Sequence, residues 1–286
     1  MGLGRPKPFA RLPRIGAALR PLRPRVVLAL LLFASLAGCW IVGSRGGDPA
    51  AVVREWIVLL GLGATLGGVG WRLVLYPGRV PADEACRSFV DLRYALIELL
   101  AVVGAAVGAA SAVAGTISSS GGPHTPLRPL ALSTIVLALA VDRVGDGTTD
   151  RWWRFLAVLG GASALTVTAA DHVLSVGGGP VDVAVRVGHL GAFAVWFGGA
   201  LWHNVVVVGV ARRFPDSREP LRAQAFAFRR VVAVLLPAVV LTGLEQAATF
   251  VGTTSTVYLE TVPGRLVVAK AGVIAALALI AATARK

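Results

Sequence analysis

The chain has 286 residues, of which 56% are hydrophobic and only 15% charged, with a formal net charge of +13 and a mean hydropathy of +0.74. Apolar runs near or above the length of a bilayer crossing recur along it, which excludes an ordinary soluble domain and predicts an all-α polytopic membrane protein. No nucleic-acid-binding motif accompanies the basic excess, so nucleic acid is not expected as a partner.

Residues 1–24 are rich in Arg and Pro and carry no acidic residue. They read as a disordered tail lying against anionic membrane lipids, which attract each Lys or Arg by about 1 kcal/mol. A hydrocarbon layer about 30 Å thick takes roughly 20 helical residues per crossing. On that measure eight spans are predicted, over 25–43, 52–76, 92–117, 127–141, 152–176, 181–210, 228–251 and 262–284. They divide into a four-span region over 25–150 and a second over 151–286. The fourth span is short and begins beside Pro126 and Pro129. With both termini cytoplasmic, most of the 28 Lys and Arg residues fall on the inner segments, among them Arg79, Arg87, Arg143, Arg154, Arg212 and Arg213. This is the asymmetry expected of a cytoplasmic membrane protein with eight crossings.

In the first span "LAGC" (36–39) resembles a lipoprotein cleavage box. The apolar run continues through Trp40, Ile41 and Val42, so an uncleaved span is expected. Cys86 falls in an inner loop, and no disulfide between the two cysteines is expected. Glycines cluster within the spans, as in "GLGATLGGVG" (61–70) and at Gly104, Gly108, Gly191 and Gly199, where small residues let membrane helices approach closely.

Ionisable groups in hydrocarbon are costly and mark candidate sites. Arg72 and Glu98 are predicted to neutralise one another near the inner face. In the seventh span Thr242, Glu245, Gln246 and Thr249 recur at helical spacing. Glu245 is expected to pair with Lys270 of the eighth span, and Glu260, just before that span, joins the same set of charges. In the sixth span His189, Phe193, Trp196, Ala200 and His203 share one stripe, the two imidazoles about 21 Å apart along the axis. His189 falls toward the outer face, where Asp171 and His172 end the fifth span. The topology therefore predicts that His189, His172, Asp171 and Glu245, with His124 nearby, converge as a metal site at the extracytoplasmic face. Imidazole with carboxylate suits Cu(II) or Zn, and a chain whose only Met is Met1 does not suggest a soft Cu(I) relay. Trp196, Thr242, Lys270 and His203 are read as lining or tuning the route of the ion.

"HLGAFAVWFGG" (189–199), "RRVVAVLLPAVVLTGL" (229–244) and "PGRLVVAKAGVIAAL" (263–277) together resemble the copper resistance protein D family. The resemblance covers about residues 170–286. It departs at "ADH" (170–172), where a Gly-His pair is expected, and at Pro263, where a Tyr usually precedes the Gly. It implies copper transport or resistance at the cytoplasmic membrane, with copper as the bound or transported ion and a separate extracytoplasmic copper carrier of the CopC type as a partner. Two alternatives stand beside it. The 14-residue spacing of His189 and His203 would suit a b-type haem electron carrier, but the inner haem lacks a second axial ligand, so haem is not expected. A non-transporting assembly or sensing component is the other. No nucleophile and base constellation and no paired catalytic carboxylates are present, so no enzyme activity is expected.

Overall fold

The computed structural model describes residues 23–43, 48–75, 84–118, 126–145 and 150–283. Most of the basic tail and His124 lie outside the described residues. Among the described residues there is no strand, and the chain is an all-α polytopic membrane protein. Its α-helices are α1 (Arg23–Gly43), α2 (Pro49–Gly63), α3 (Gly70–Leu75), α4 (Glu84–Ser118), α5 (Leu127–Val144), α6 (Asp150–Ser175), α7 (Pro180–Trp202), α8 (Val208–Arg213), α9 (Arg218–Phe250), α10 (Ser255–Glu260) and α11 (Val262–Thr283). Turns of π-helix join α2 to α3 (Ala64–Val69) and α7 to α8 (His203–Val207), so each pair runs on as one rod.

The helix ends follow local chemistry. Asp48 Oδ1 accepts from Ala50 N at 2.9 Å ahead of Pro49, which caps the start of α2. Asp182 Oδ2 accepts from Gly179 N at 2.8 Å and fixes the start of α7. The turn between α6 and α7 needs the left-handed backbone of Gly177, at φ 81°, with Gly178 N returning to Val173 O at 2.9 Å.

Among the described residues, seven helical segments are long and apolar enough to cross a membrane. They correspond to all the predicted spans except the fourth. Helix α5 falls outside the set because its 18 residues include Arg128, Asp142 and Arg143. All three charges are ion-paired, Arg128 to Glu55 at one end and Asp142 and Arg143 to Arg154 and Glu98 at the other. Helix α5 therefore runs between the two charged levels of the bundle, packed between α4 and α6.

One apolar core unites residues from both predicted regions, with Val58, Ile97, Leu132, Leu165, Phe197 and Trp202 buried together. Helix α2 and its π turn occupy the centre, against α4 and α7. Glycine makes this possible. A Cβ added at Gly61 would lie 2.6 Å from Gly104 Cα, and one at Gly67 would lie 2.6 Å from Gly198 Cα, so at both crossings the backbones themselves touch. At the basic end Trp71 stacks on Trp202 at 6.3 Å and meets Phe228 edge-on at 5.2 Å. Arg93 and Arg213 both lie over the Phe89 ring, and Arg72 over Tyr94, which gathers guanidinium groups at this end.

The Gly67 and Gly198 contact sets the spacing of the central pair. Gly198→Val is expected to lower stability by about 1–3 kcal/mol or more, read as an earlier thermal transition in detergent. Gly191→Ala on the same helix, where an added Cβ meets nothing within 4 Å, should leave the transition near wild type.

Candidate functional site

The intramembrane charges form two groups. At the basic end Glu98, only 6% exposed, accepts from Arg72 Nη1 at 2.7 Å and lies 3.2 Å from Arg143 and 4.0 Å from Arg154. Arg72 Nη2 also reaches Asp91 at 2.9 Å, and Arg154 reaches Asp142 at 3.0 Å. The predicted Arg72 and Glu98 pair forms, within a larger group in which three guanidinium groups meet three carboxylates from four helices. This group is a closed electrostatic clasp.

The second group lies toward the opposite end, between α1, α7, α9 and α11. Helices α7 and α9 are joined by polar contacts: Arg186 Nη1 donates to Gln246 Oε1 at 2.8 Å, and His189 Nδ1 lies 3.0 Å from Thr242 Oγ1. The Thr242 hydroxyl gives its own proton to Ala238 O. Its oxygen is thus the acceptor for Nδ1–H, which assigns the proton of the neutral imidazole to Nδ1 and leaves a lone pair on Nε2. Gly243 makes room for the ring, since a Cβ there would lie 3.1 Å from His189 Cε1.

Lys270 reaches the same region from α11, which packs on α1. Its Nζ rests against Gly38, where an added Cβ would lie only 3.2 Å away. Lys270 and Arg186 are within electrostatic reach of each other, of His189 and of Cys39, and Cys39 is also within reach of Glu55. Glu55 is held by Arg128, whose Nη2 lies 2.8 Å from both carboxylate oxygens. Among the described residues neither Arg186 nor Lys270 forms an ion pair with a carboxylate.

Several sequence expectations are corrected. The Glu245 and Lys270 pair does not form: Glu245 Oε1 accepts from Thr249 Oγ1 at 3.0 Å on its own helix, while Lys270 turns to α1. The convergence of His189, His172, Asp171 and Glu245 on one ion does not form either, and no three His, Cys, Asp or Glu side chains among the described residues make a metal-holding group. The reason lies in depth along α9. His172 packs on Phe250 at 5.9 Å, whereas His189 contacts Thr242, eight residues and about 12 Å earlier on that helix. Asp171 is half-buried and joins no ion pair among the described residues. Glu260 is exposed, and its backbone carbonyl rather than its carboxylate accepts from Arg265. Trp196 is 5% exposed and part of the packed core rather than the lining of a route. His203 opens the second π turn beside Trp202, ring centroids 6.3 Å apart, remote from the His189 group.

Cys39 is the residue that sequence reasoning set aside. Its signal was there: it is a thiol in the apolar run of α1 and follows the glycine that admits Lys270.

No protein-family model, curated protein or solved structure matches the chain.

Two outcomes follow from these contacts. Glu98→Gln should leave buried guanidinium charge uncompensated and lower stability by about 3–5 kcal/mol, read by thermal or denaturant unfolding in detergent. Thr242→Val strands the imidazole N–H, a change worth about 1–3 kcal/mol. It should also scramble the His189 tautomer seen by nitrogen NMR, which Thr242→Ser should preserve.

Proposed function

We propose that the chain is a copper-linked protein of the cytoplasmic membrane that accepts copper in the extracytoplasmic half of its bundle. The observation that carries this reading is the imidazole of His189. Thr242 holds its Nδ1–H and leaves the Nε2 lone pair available, the arrangement by which proteins present a metal-ligating histidine. The histidine stands at the head of "HLGAFAVWFGG", the stretch that best resembles the copper resistance protein D family.

The donor set points to the univalent ion. Without a three-donor His, Cys, Asp or Glu group among the described residues, a Cu(II) or Zn site of imidazole and carboxylate is poorly supplied. Cys39 of α1 adjoins the Gly38 against which Lys270 rests, and sulfur with imidazole suits Cu(I). Arg186 and Lys270 also repel a doubly charged ion more strongly than a singly charged one. The gathering of Arg72, Arg93, Arg143, Arg154 and Arg213 at the far end supports a cytoplasmic assignment for that end, and so an extracytoplasmic one for His189. A separate CopC-type carrier is the partner that would deliver the ion to this side. A non-transporting sensing or assembly role is favoured by one feature: Trp196 and Phe197 fill the α7 face below His189 and leave it closed.

Purified wild-type protein titrated with Cu(I) against a chromogenic chelator should withdraw copper from the chelator. His189→Ala and Cys39→Ser should each weaken that binding by about tenfold or more. Wild type that leaves all the copper to the chelator, or retention unchanged in both variants, contradicts the proposal. Copper uptake into proteoliposomes separates the transporting role from the sensing one.

A further inference from the structure

At the basic end α4 and α8 pack against each other. Phe89 and Arg93 lie one turn apart on α4, and Gly209 and Arg213 one turn apart on α8. The Arg93 guanidinium lies over the Phe89 ring, 4.8 Å from its centroid, and the Arg213 guanidinium lies 5.7 Å from the same centroid. Arg93 and Phe89 both rest against Gly209, where a Cβ would lie 3.6 Å from Arg93 Nε and 3.6 Å from Phe89 Cε1. One phenyl ring therefore holds two positive charges that come from two helices.

Among the described residues neither guanidinium joins an ion pair or donates a side-chain hydrogen bond. Asp91 is taken by Arg72, while Glu84 at the start of α4 and Asp216 beyond α8 are exposed and pair with neither. Arg93 is half-buried and its Nε is buried without a hydrogen-bond partner, so an unmet donor lies inside the helix contact rather than in solvent. Arg213 is exposed and is the last residue of the membrane-length segment Pro180–Arg213, so the pair opens where that segment ends. Leu92, Leu96, Leu99 and Val103 run from there along α4 as an exposed apolar stripe, with Leu96 on the same helix face as Phe89.

We infer that Arg93 and Arg213 form a binding site for the headgroup phosphate of an anionic phospholipid, whose acyl chain lies along the Leu92, Leu96 and Leu99 stripe. Guanidinium groups grip phosphate oxygens in parallel pairs. Basic pockets between membrane helices at a bilayer surface bind such headgroups. Phe89 restrains both guanidinium groups before the lipid arrives, which lowers the entropy lost in ordering two long side chains. The exposed stripe selects the lipid over a free phosphate ion, which brings nothing to cover it. The inference stands on this helix contact and does not depend on copper.

The test is binding of a fluorescent phosphatidylglycerol to the full-length protein in a neutral detergent, followed by anisotropy. Unlabelled phosphatidylglycerol should displace the probe, and phosphatidylcholine or inorganic phosphate at the same concentration should not. Arg93→Gln and Arg213→Gln should each weaken binding by about fivefold, while Arg212→Gln, which removes the adjacent exposed charge, should stay close to wild type. Phe89→Leu keeps every charge and should still weaken binding, because the two guanidinium groups lose their common support. Arg213 is exposed and makes no bond to lose among the described residues, so Arg213→Gln tests the site alone if Arg93→Gln fails to fold. The inference is overturned if phosphatidylcholine or inorganic phosphate displaces the probe as well as phosphatidylglycerol does, or if Arg213→Gln binds it as Arg212→Gln does.

Discussion

A charge inside a helical membrane bundle has to meet an opposite charge or a full set of hydrogen bonds, and this requirement organises the molecule. It draws Arg72, Arg143 and Arg154 around Glu98 at one end, which ties α3, α4, α5 and α6 into a single level. It draws Arg128 to Glu55 at the other end and so fixes the height of α5 between two charged levels. Removing a partner from such a group costs more than the group contributes when intact, because the remaining charge stays buried. The same rule sets Arg186 and Lys270 apart, since among the described residues neither forms an ion pair with a carboxylate.

Close backbone packing carries the rest. Helix α2 lies at the centre because Gly61, Gly67, Gly104 and Gly198 remove the side chains that would hold α2, α4 and α7 apart. The two π turns fall in the central rods, one at Ala64–Val69 facing α7 and one at His203–Val207. Such turns shift the helical register, which sets which side chains face the core beyond them. Trp71, Trp202 and Phe228 fill the space below.

The spans were legible in the sequence because hydropathy reports burial in lipid directly. Seven predicted spans fall on helices long and apolar enough to cross, with ends that differ by two or three residues at 52–76 against Pro49–Val74 but by eight at the start of 92–117 against Glu84–Gly115. The fourth is a helix that length and apolarity alone do not qualify, and its end charges are explained only by partners on other helices. The Arg72 and Glu98 pair was legible because both residues fall at the same depth on consecutive spans. Lys270 was misassigned to Glu245 because depth does not tell which helices are neighbours: α11 packs on α1, the most distant span in sequence. The same limit hid Cys39, whose neighbour Gly38 meets Lys270 only once α1 and α11 are placed side by side. His172 failed for a different reason. Residues assigned to one face of the membrane can still lie about two helical turns apart in depth, and Phe250 and Thr242 mark that difference.

The central claim is spatial: Lys270 of α11 rests beside Gly38 of α1, next to Cys39, while α7 and α9 are joined by His189 on Thr242 and Arg186 on Gln246. An electron cryomicroscopy map of the protein in lipid nanodiscs, at a resolution that shows side chains, tests it most directly. The expected map shows the Lys270 ammonium beside Gly38, the His189 ring bonded to Thr242 and the Arg186 guanidinium bonded to Gln246. A map in which Lys270 pairs with Glu245, or in which α11 packs away from α1, contradicts it.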